Sequence, residues 1–181
     1  MIESFDDNGI IATDRLDLVP LTRLHADSLF PVLSDESLYE FTGGMPPESV
    51  SSLRERFAYL EKRQSPDGSE VWLNWLLRHH AEAIGYVQST VTVHSADVAW
   101  VIGSPWQGQG YATEAASAMI RWLRSAGVRA FRANIHPAHS ASQRVAGKLG
   151  LSLTDEVADG EQVWRLSAGA DVAADATVQR Q

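Results

Sequence analysis

Apolar residues recur along this chain with two different periods, and each change of period marks an element. Leu16 and Leu18 alternate with polar neighbours, which predicts a strand over residues 15–19 ahead of Pro20. Thr22 can cap the next helix by accepting a first-turn N–H on its hydroxyl. Leu24, Ser28, Leu29 and Val32 carry that helix, and Pro31, which lacks an N–H, is expected to kink or end it. Residues 41–47, Phe-Thr-Gly-Gly-Met-Pro-Pro, are loop chemistry. Val50, Leu53, Phe57 and Leu60 then share one face of a second helix over residues 48–63. Ser65 to Gly68 is a turn.

The middle of the chain changes to period two. Residues 71–78, 83–93 and 96–102 are rich in β-branched and aromatic side chains, with separators short enough for an antiparallel meander. A helix is predicted over residues 110–124 from Ala112, Ala115, Ala116, Met119, Ile120 and Leu123, and Gly127 can stop it. A strand over 130–135, a short helix over 140–149 closed by Gly150, and a hairpin of 151–157 and 162–166 around Asp159-Gly160 complete the pattern. From Ala168 onward no period survives, so one domain over residues 1–167 and a loose tail over 168–181 are expected. There is no internal repeat. This order, with its run of three antiparallel strands, is α+β rather than a doubly wound sheet.

Composition narrows the function. With 181 residues the chain suits a single domain, and 44% hydrophobic with 21% charged residues excludes disorder across its length. The absence of cysteine excludes disulfides, thiolate metal centres and a cysteine nucleophile. A net charge of -8 argues against nucleic acid and against an anionic membrane, and leaves room for a cationic substrate. The first seven residues are acidic, unlike a secretory signal, and no apolar run approaches the ~20 residues of a bilayer span. A cytoplasmic protein is expected.

The chemistry concentrates in residues 98–115, where a strand ends, a glycine-containing loop turns and a helix begins. The first turn of a helix leaves backbone N–H groups without internal partners, and the helix dipole adds positive potential there. Gly108 and Gly110 let a phosphate approach those donors closely, and a pyrophosphate is the natural ligand. A P-loop is excluded because no lysine lies near the loop. A dinucleotide fold is disfavoured: the loop lies past mid-chain, and the next strand region, with Arg129, Ala130, Phe131 and Arg132, has no acid to hold a ribose.

Gln107-x-x-Gly110-x-Ala112 resembles the acyl-coenzyme A loop of the GCN5-related N-acetyltransferases. The continuation Tyr111-Ala112-Thr113-Glu114-Ala115 and the start Thr13-Asp14-Arg15-Leu16-Asp17-Leu18 are similar to the subgroup of ribosomal-protein N-terminal acetyltransferases. So is the segment from His139-x-x-Ser142 to Lys148-Leu149-Gly150-Leu151, and the likeness covers roughly residues 10–167. The resemblance implies a mixed, mostly antiparallel sheet of about six or seven strands, flanked by helices and splayed between the fourth and fifth, with acetyl-coenzyme A in the gap. Backbone groups near Trp100, Val101 and Ile102 would then face the pantetheine arm. Amides of Gln107, Gly108, Gln109, Gly110, Tyr111, Ala112 and Thr113 would hold the pyrophosphate, and His139 with Ser142 would flank the thiol end. His139 stands where the family has Asn, Leu151 where it has Phe, and Ala146 where many members carry a Tyr acid.

Acetyl transfer to an amine needs a base for the amine and a proton for the leaving thiolate. Ser142 is the candidate acid, with helix capping as its plainer role; Asp97 and His136 are candidate bases, with a surface carboxylate and a strand-end hydrogen bond as theirs. Phe41, Trp75 and Tyr86 are candidates for the acceptor site, to which Asp35, Glu36 and Glu40 lend an acidic tint. No metal is expected, since His136 and His139 lack a third ligand. The function expected is acetyl transfer to a small-molecule or peptide amine in a ternary complex, with a homodimer left open. The rival is an acyl-coenzyme A-binding regulatory module without efficient catalysis.

Overall fold

The computed structural model describes residues 9–166, so the acidic first residues and the tail from Ala168 lie outside the described residues. In chain order the elements are β1 (Ile11–Ala12), β2 (Asp17–Pro20), α1 (Ala26–Leu33), α2 (Val50–Leu60), β3 (Val71–His79), β4 (Glu82–Thr92) and β5 (Ser95–Ile102). They continue with α3 (Tyr111–Ser125), β6 (Ala130–Ile135), α4 (Ser140–Lys148), β7 (Ser152–Ala158) and β8 (Glu161–Leu166). The eight strands form one sheet in the order β1-β2-β3-β4-β5-β6-β8-β7. Only β5 and β6 run parallel, and they pair over just Ser95–Asp97 and Ala130–Arg132 before diverging. The expected α+β sheet and its splay are therefore present, one strand later by count because β1 adds a short edge strand that two residues could not announce.

Both faces of the sheet are covered, which explains the nearly continuous apolar run of β3. Leu73, Trp75 and Leu77 point into the core beneath α3, where Met119, Ile120 and Leu123 meet them. Leu76 points to the opposite face and packs with Leu29 of α1 and with Leu53 and Phe57 of α2. Each such side chain contributes about 1.5–3 kcal/mol through burial.

Local chemistry departs from expectation in two places. Thr22 caps not α1 itself but the single tight turn of residues 23–25 before it, in a reciprocal box in which its backbone N–H donates to His25 Nδ1 at 3.0 Å. Pro31 sits inside α1, which stops only two residues later. There the Phe30 carbonyl accepts from both the N–H and the hydroxyl of Ser34, and the Leu33 carbonyl accepts from the Tyr39 hydroxyl.

Gly85 sets how closely β4 and β5 approach. A Cβ there would overlap the Val101 carbonyl oxygen, so only glycine allows this contact. The adjacent Gly103 N–H donates to the Ile84 carbonyl at 2.8 Å, fixing the strand end from which the loop departs.

Candidate functional site

Alternation along β5 determines which peptide groups face the splay. The His94 carbonyl accepts from Arg129 and Ala130 on the β6 side, whereas Gly103 donates to β4. Even-numbered residues of β5 therefore present their peptide groups to β6 and odd-numbered ones to β4. Beyond Asp97 no strand among the described residues pairs with them, so the peptide groups of Val98 and Trp100 open into the gap. This unpaired edge fits an extended, amide-bearing arm that adds its own hydrogen bonds. It also corrects the expectation for Val101, whose peptide group belongs to the β4 ladder; Ile102 faces the gap with its N–H, while its carbonyl accepts from Gln107 Nε2 at 2.9 Å.

The loop after β5 is built to leave donors free. The N–H of Gln107 is engaged by the Ser104 carbonyl, so Gln107 braces the turn instead of donating outward. Gly108 and Gly110 adopt φ of 75° and 86°, conformations that side chains resist, and Gly110 directly precedes α3. The N–H groups of Tyr111, Ala112 and Thr113 begin the helix without intrahelical partners and suit a phosphate. The ring of Tyr111 points inward: it is buried, its hydroxyl meets His79 Nε2 at 3.1 Å, and the Arg15 guanidinium lies 4.5 Å above it. Tyr111 thus contributes its backbone only. His79, at the end of β3, anchors this ring.

Arg15 ties the edge of the sheet to this loop. Its Nη1 donates to the Gln109 carbonyl at 2.9 Å, and its Nε donates to Glu114 Oε2 at 2.7 Å. Glu114 also accepts from the Arg15 N–H at 2.9 Å and from Thr13 Oγ1 at 2.6 Å. Burial alone raises the Glu114 carboxyl, but these hydrogen bonds and the Arg15 charge outweigh it and hold the group below the ordinary carboxylate range. Both residues sit in motifs visible in the sequence. Their pairing, across 99 positions, is not.

Two adjoining cavities lie beside the splay. The smaller, about 70 Å³, lies between β5 and the end of β6 and brings together Trp100, His136, His139, Ser142 and Phe41. Phe41 stacks on His139 with ring centroids 4.8 Å apart and tilts against His136 at 5.6 Å, so the loop before α2 reaches over the gap. His136 Nδ1 accepts from the Ala138 N–H at 3.2 Å, which leaves Nε2 as the ring nitrogen available to a ligand. Burial, then the charge of His136 when that ring is protonated, lowers the His139 pKa and favours its neutral ring. His139 precedes α4 without a side-chain cap, and among the described residues the Ser142 hydroxyl has no hydrogen-bond partner; capping does not occupy it.

The larger cavity, about 440 Å³, lies on the α1–α2 side of the sheet. Tyr86, Asp97, Arg56, Arg132 and Glu161 supply much of its polar lining, beneath Thr42 and Met45. Asp97 stands opposite Arg132 at the last paired position before the splay. Burial raises its pKa, with Arg132 and Arg165 opposing that shift. Tyr86 lines this cavity as expected of an acceptor-site residue, but Trp75 does not. Its side chain is 0% exposed, edge-on to Trp122 of α3, because odd positions of β3 face the opposite core. The acidic tint also lies elsewhere: the Asp35 carboxylate is held by Ser37 and Ser104, and neither it nor Glu36 or Glu40 lines the cavity. Among the described residues, no group of three or more His, Asp or Glu side chains could hold a metal ion, and no helix is long and apolar enough to cross a membrane.

The family profile of the acetyltransferase (GNAT) domain matches residues 15–152. No curated protein sequence matches significantly. Among solved structures, the ribosomal L7/L12 α-N-protein acetyltransferase RimL in complex with coenzyme A superposes with a TM-score of 0.73 at 19% identity, covering 90% of this chain and 99% of that one. A GNAT-family acetyltransferase from Bacillus anthracis gives 0.69 at 16% identity, with 87% and 98% covered. The microcin C7 self-immunity acetyltransferase MccE, solved with acetyl-CoA and AMP, gives 0.69 at 16% identity, with 86% and 93% covered. At such identities these likenesses concern the fold.

Proposed function

This chain belongs to the GNAT acetyltransferase family, an N-acetyltransferase using acetyl-coenzyme A, and we propose that it acetylates a primary amine by direct transfer in a ternary complex. The observation that supports direct transfer is that the two cavities share their lining at Thr42, Val98, Ala99, Trp100, Asn134 and Glu161. An amine in the larger cavity and a thioester in the gap can therefore meet without an enzyme-bound relay, and the chain has no cysteine to provide one.

Acetyl-coenzyme A supplies an acetyl thioester whose C–S bond is exchanged for an amide C–N bond; an ammonium acceptor gives up two protons, one to the base before attack and one as the amide forms, while one proton reaches sulfur. The peptide groups of Val98 and Trp100 orient the pantetheine arm, and the free amides from Gly108 to Thr113 hold the diphosphate. Asp97 takes the proton of the incoming ammonium, aided by a pKa raised through burial. Ser142 Oγ, unbonded and facing the gap, is the proton donor for sulfur. Ala146 is fully buried in the core, so no side chain acts from that position. His136 serves as a hydrogen-bond donor rather than a base, since its Nδ1 lone pair is engaged. Phe41 and Tyr86 wall the acceptor site. The setting we assign is the cytoplasm.

Calorimetry with coenzyme A, followed by thiol release from acetyl-coenzyme A with a panel of amines, tests this function. Binding plus amine-dependent release supports it. Absence of coenzyme A binding defeats it, and binding without release from any amine returns the chain to a regulatory role.

A further inference from the structure

We infer that the acceptor carries an anionic group remote from its amine, and that Arg56 recognises it; this rests on the acetyl-transfer function proposed above. Arg56 lies three residues after Leu53 and four before Leu60, exposed at the flank of the packed face of α2, and it lines the 440 Å³ cavity. Among the described residues no carboxylate lies within 4.0 Å of Arg56, whereas Arg15, Arg54, Arg78 and Arg165 each have one at 2.9 Å or less. Tyr86 lines the same cavity, where burial raises its phenol pKa and the Arg56 charge opposes that shift. Guanidinium and phenol together offer donors to an anion.

The opposite end of the cavity has the opposite sign. Asp97 and Glu161 line it there, and Arg132, whose Nε donates to Asn134 Oδ1 at 3.0 Å, stands beside Asp97. Strand register sets the spacing. Tyr86 pairs with Val101, and Thr90 with Asp97. The amine must reach the gap at the level of Val98 and Ala99, two or three residues from Val101 along β5. At about 3.3 Å per residue, amine and anion are roughly 7–10 Å apart. A free α-amino acid is too short. A peptide N-terminus with an acidic side chain two residues on, or an amine carrying a phosphate on a chain of similar length, fits.

The test compares a tripeptide amide ending in aspartate with its asparagine counterpart, and 6-aminohexyl phosphate with hexylamine, using the full chain. Thiol release and calorimetric binding in the presence of coenzyme A are both measured. The expected result is a kcat/KM and affinity about 10–100-fold higher for the anionic member of at least one pair. The pair that discriminates identifies carboxylate or phosphate as the source. Arg56→Gln should bring that ratio close to one and Arg56→Lys should restore part of it, with coenzyme A affinity unchanged. Equal binding of charged and neutral members, or a ratio that survives Arg56→Gln, overturns the inference. If coenzyme A binds but no thiol is released, the transfer function fails while the binding ratios still decide the role of Arg56.

Discussion

Arg15 and Glu114 join the bend between β1 and β2 to the first turn of α3 through a 2.7 Å hydrogen bond from Nε to Oε2 and a 2.6 Å contact from Nη2 to the same oxygen. The acid therefore sits where a phosphate-binding helix should tolerate it least, and it is neutralised there by a cation that also grips the loop carbonyl of Gln109.

Loss of this bridge should loosen the loop. Arg15→Gln and Glu114→Gln are each expected to weaken coenzyme A about 3–10-fold and to cost about 1–3 kcal/mol of stability. For a domain of this size that is a fall in Tm of roughly 3–10 °C. Calorimetry and thermal unfolding measure both, and additive effects in the double variant would show that the two side chains act separately. The Glu114 pKa is lowered in the fold, so its contribution is full above the ordinary carboxylate range and is lost as pH falls through the lowered value. Glu114→Gln should flatten the acid side of the stability curve.

The Asp97 carboxyl is raised by burial and opposed by Arg132, so the two residues should set the acid limb of kcat/KM together. Activity is expected to fall as pH drops through the raised pKa. Arg132→Gln removes the opposing cation and should move that inflection to higher pH, whereas Asp97→Asn should abolish it with a loss of about 100-fold or more in rate. A pH–rate profile identical in all three proteins would exclude Asp97 as the base.

Ser142 and His136 can be told apart by the same kinetics. Ser142→Ala should lower kcat about 10–100-fold with KM nearly constant, because the hydroxyl acts on the leaving group. His136→Ala should leave the acid limb in place, since its Nδ1 already accepts from Ala138. A displaced acid limb in the histidine variant would reassign the base.

Gly85→Ala tests the contact that sets the end of β5. The added methyl meets the Val101 carbonyl, and backbone cannot yield as a flexible side chain can. The expected cost is about 2–3 kcal/mol, read as a drop in Tm. An unchanged Tm would mean that β4 can move away freely.

The period-two run of β3 to β5, the helical face of α2 and the glycine-bearing loop were legible because each depends on neighbours in sequence. So was the order of elements, and with it the α+β sheet. The two edges of the sheet were harder. β1 spans only Ile11–Ala12, too short for any period, and the cap at Thr22 serves a three-residue turn, with His25 Nδ1 accepting its backbone N–H.

Sequence alone determined which segments become strand or helix, where the phosphate-binding loop lies, and that no thiol takes part, since those follow from local periodicity and composition. Tertiary structure decided which side of each strand meets which partner. Alternation is readable, but the face it assigns depends on what packs there, so Trp75 went to the core and Tyr86 to the cavity. The same holds for charge: Arg15 found Glu114, while Arg56, exposed on α2, reaches the cavity with no carboxylate within 4.0 Å among the described residues. Distance in the chain carries no information about such pairs, because they are made by the folding of separate elements onto one sheet.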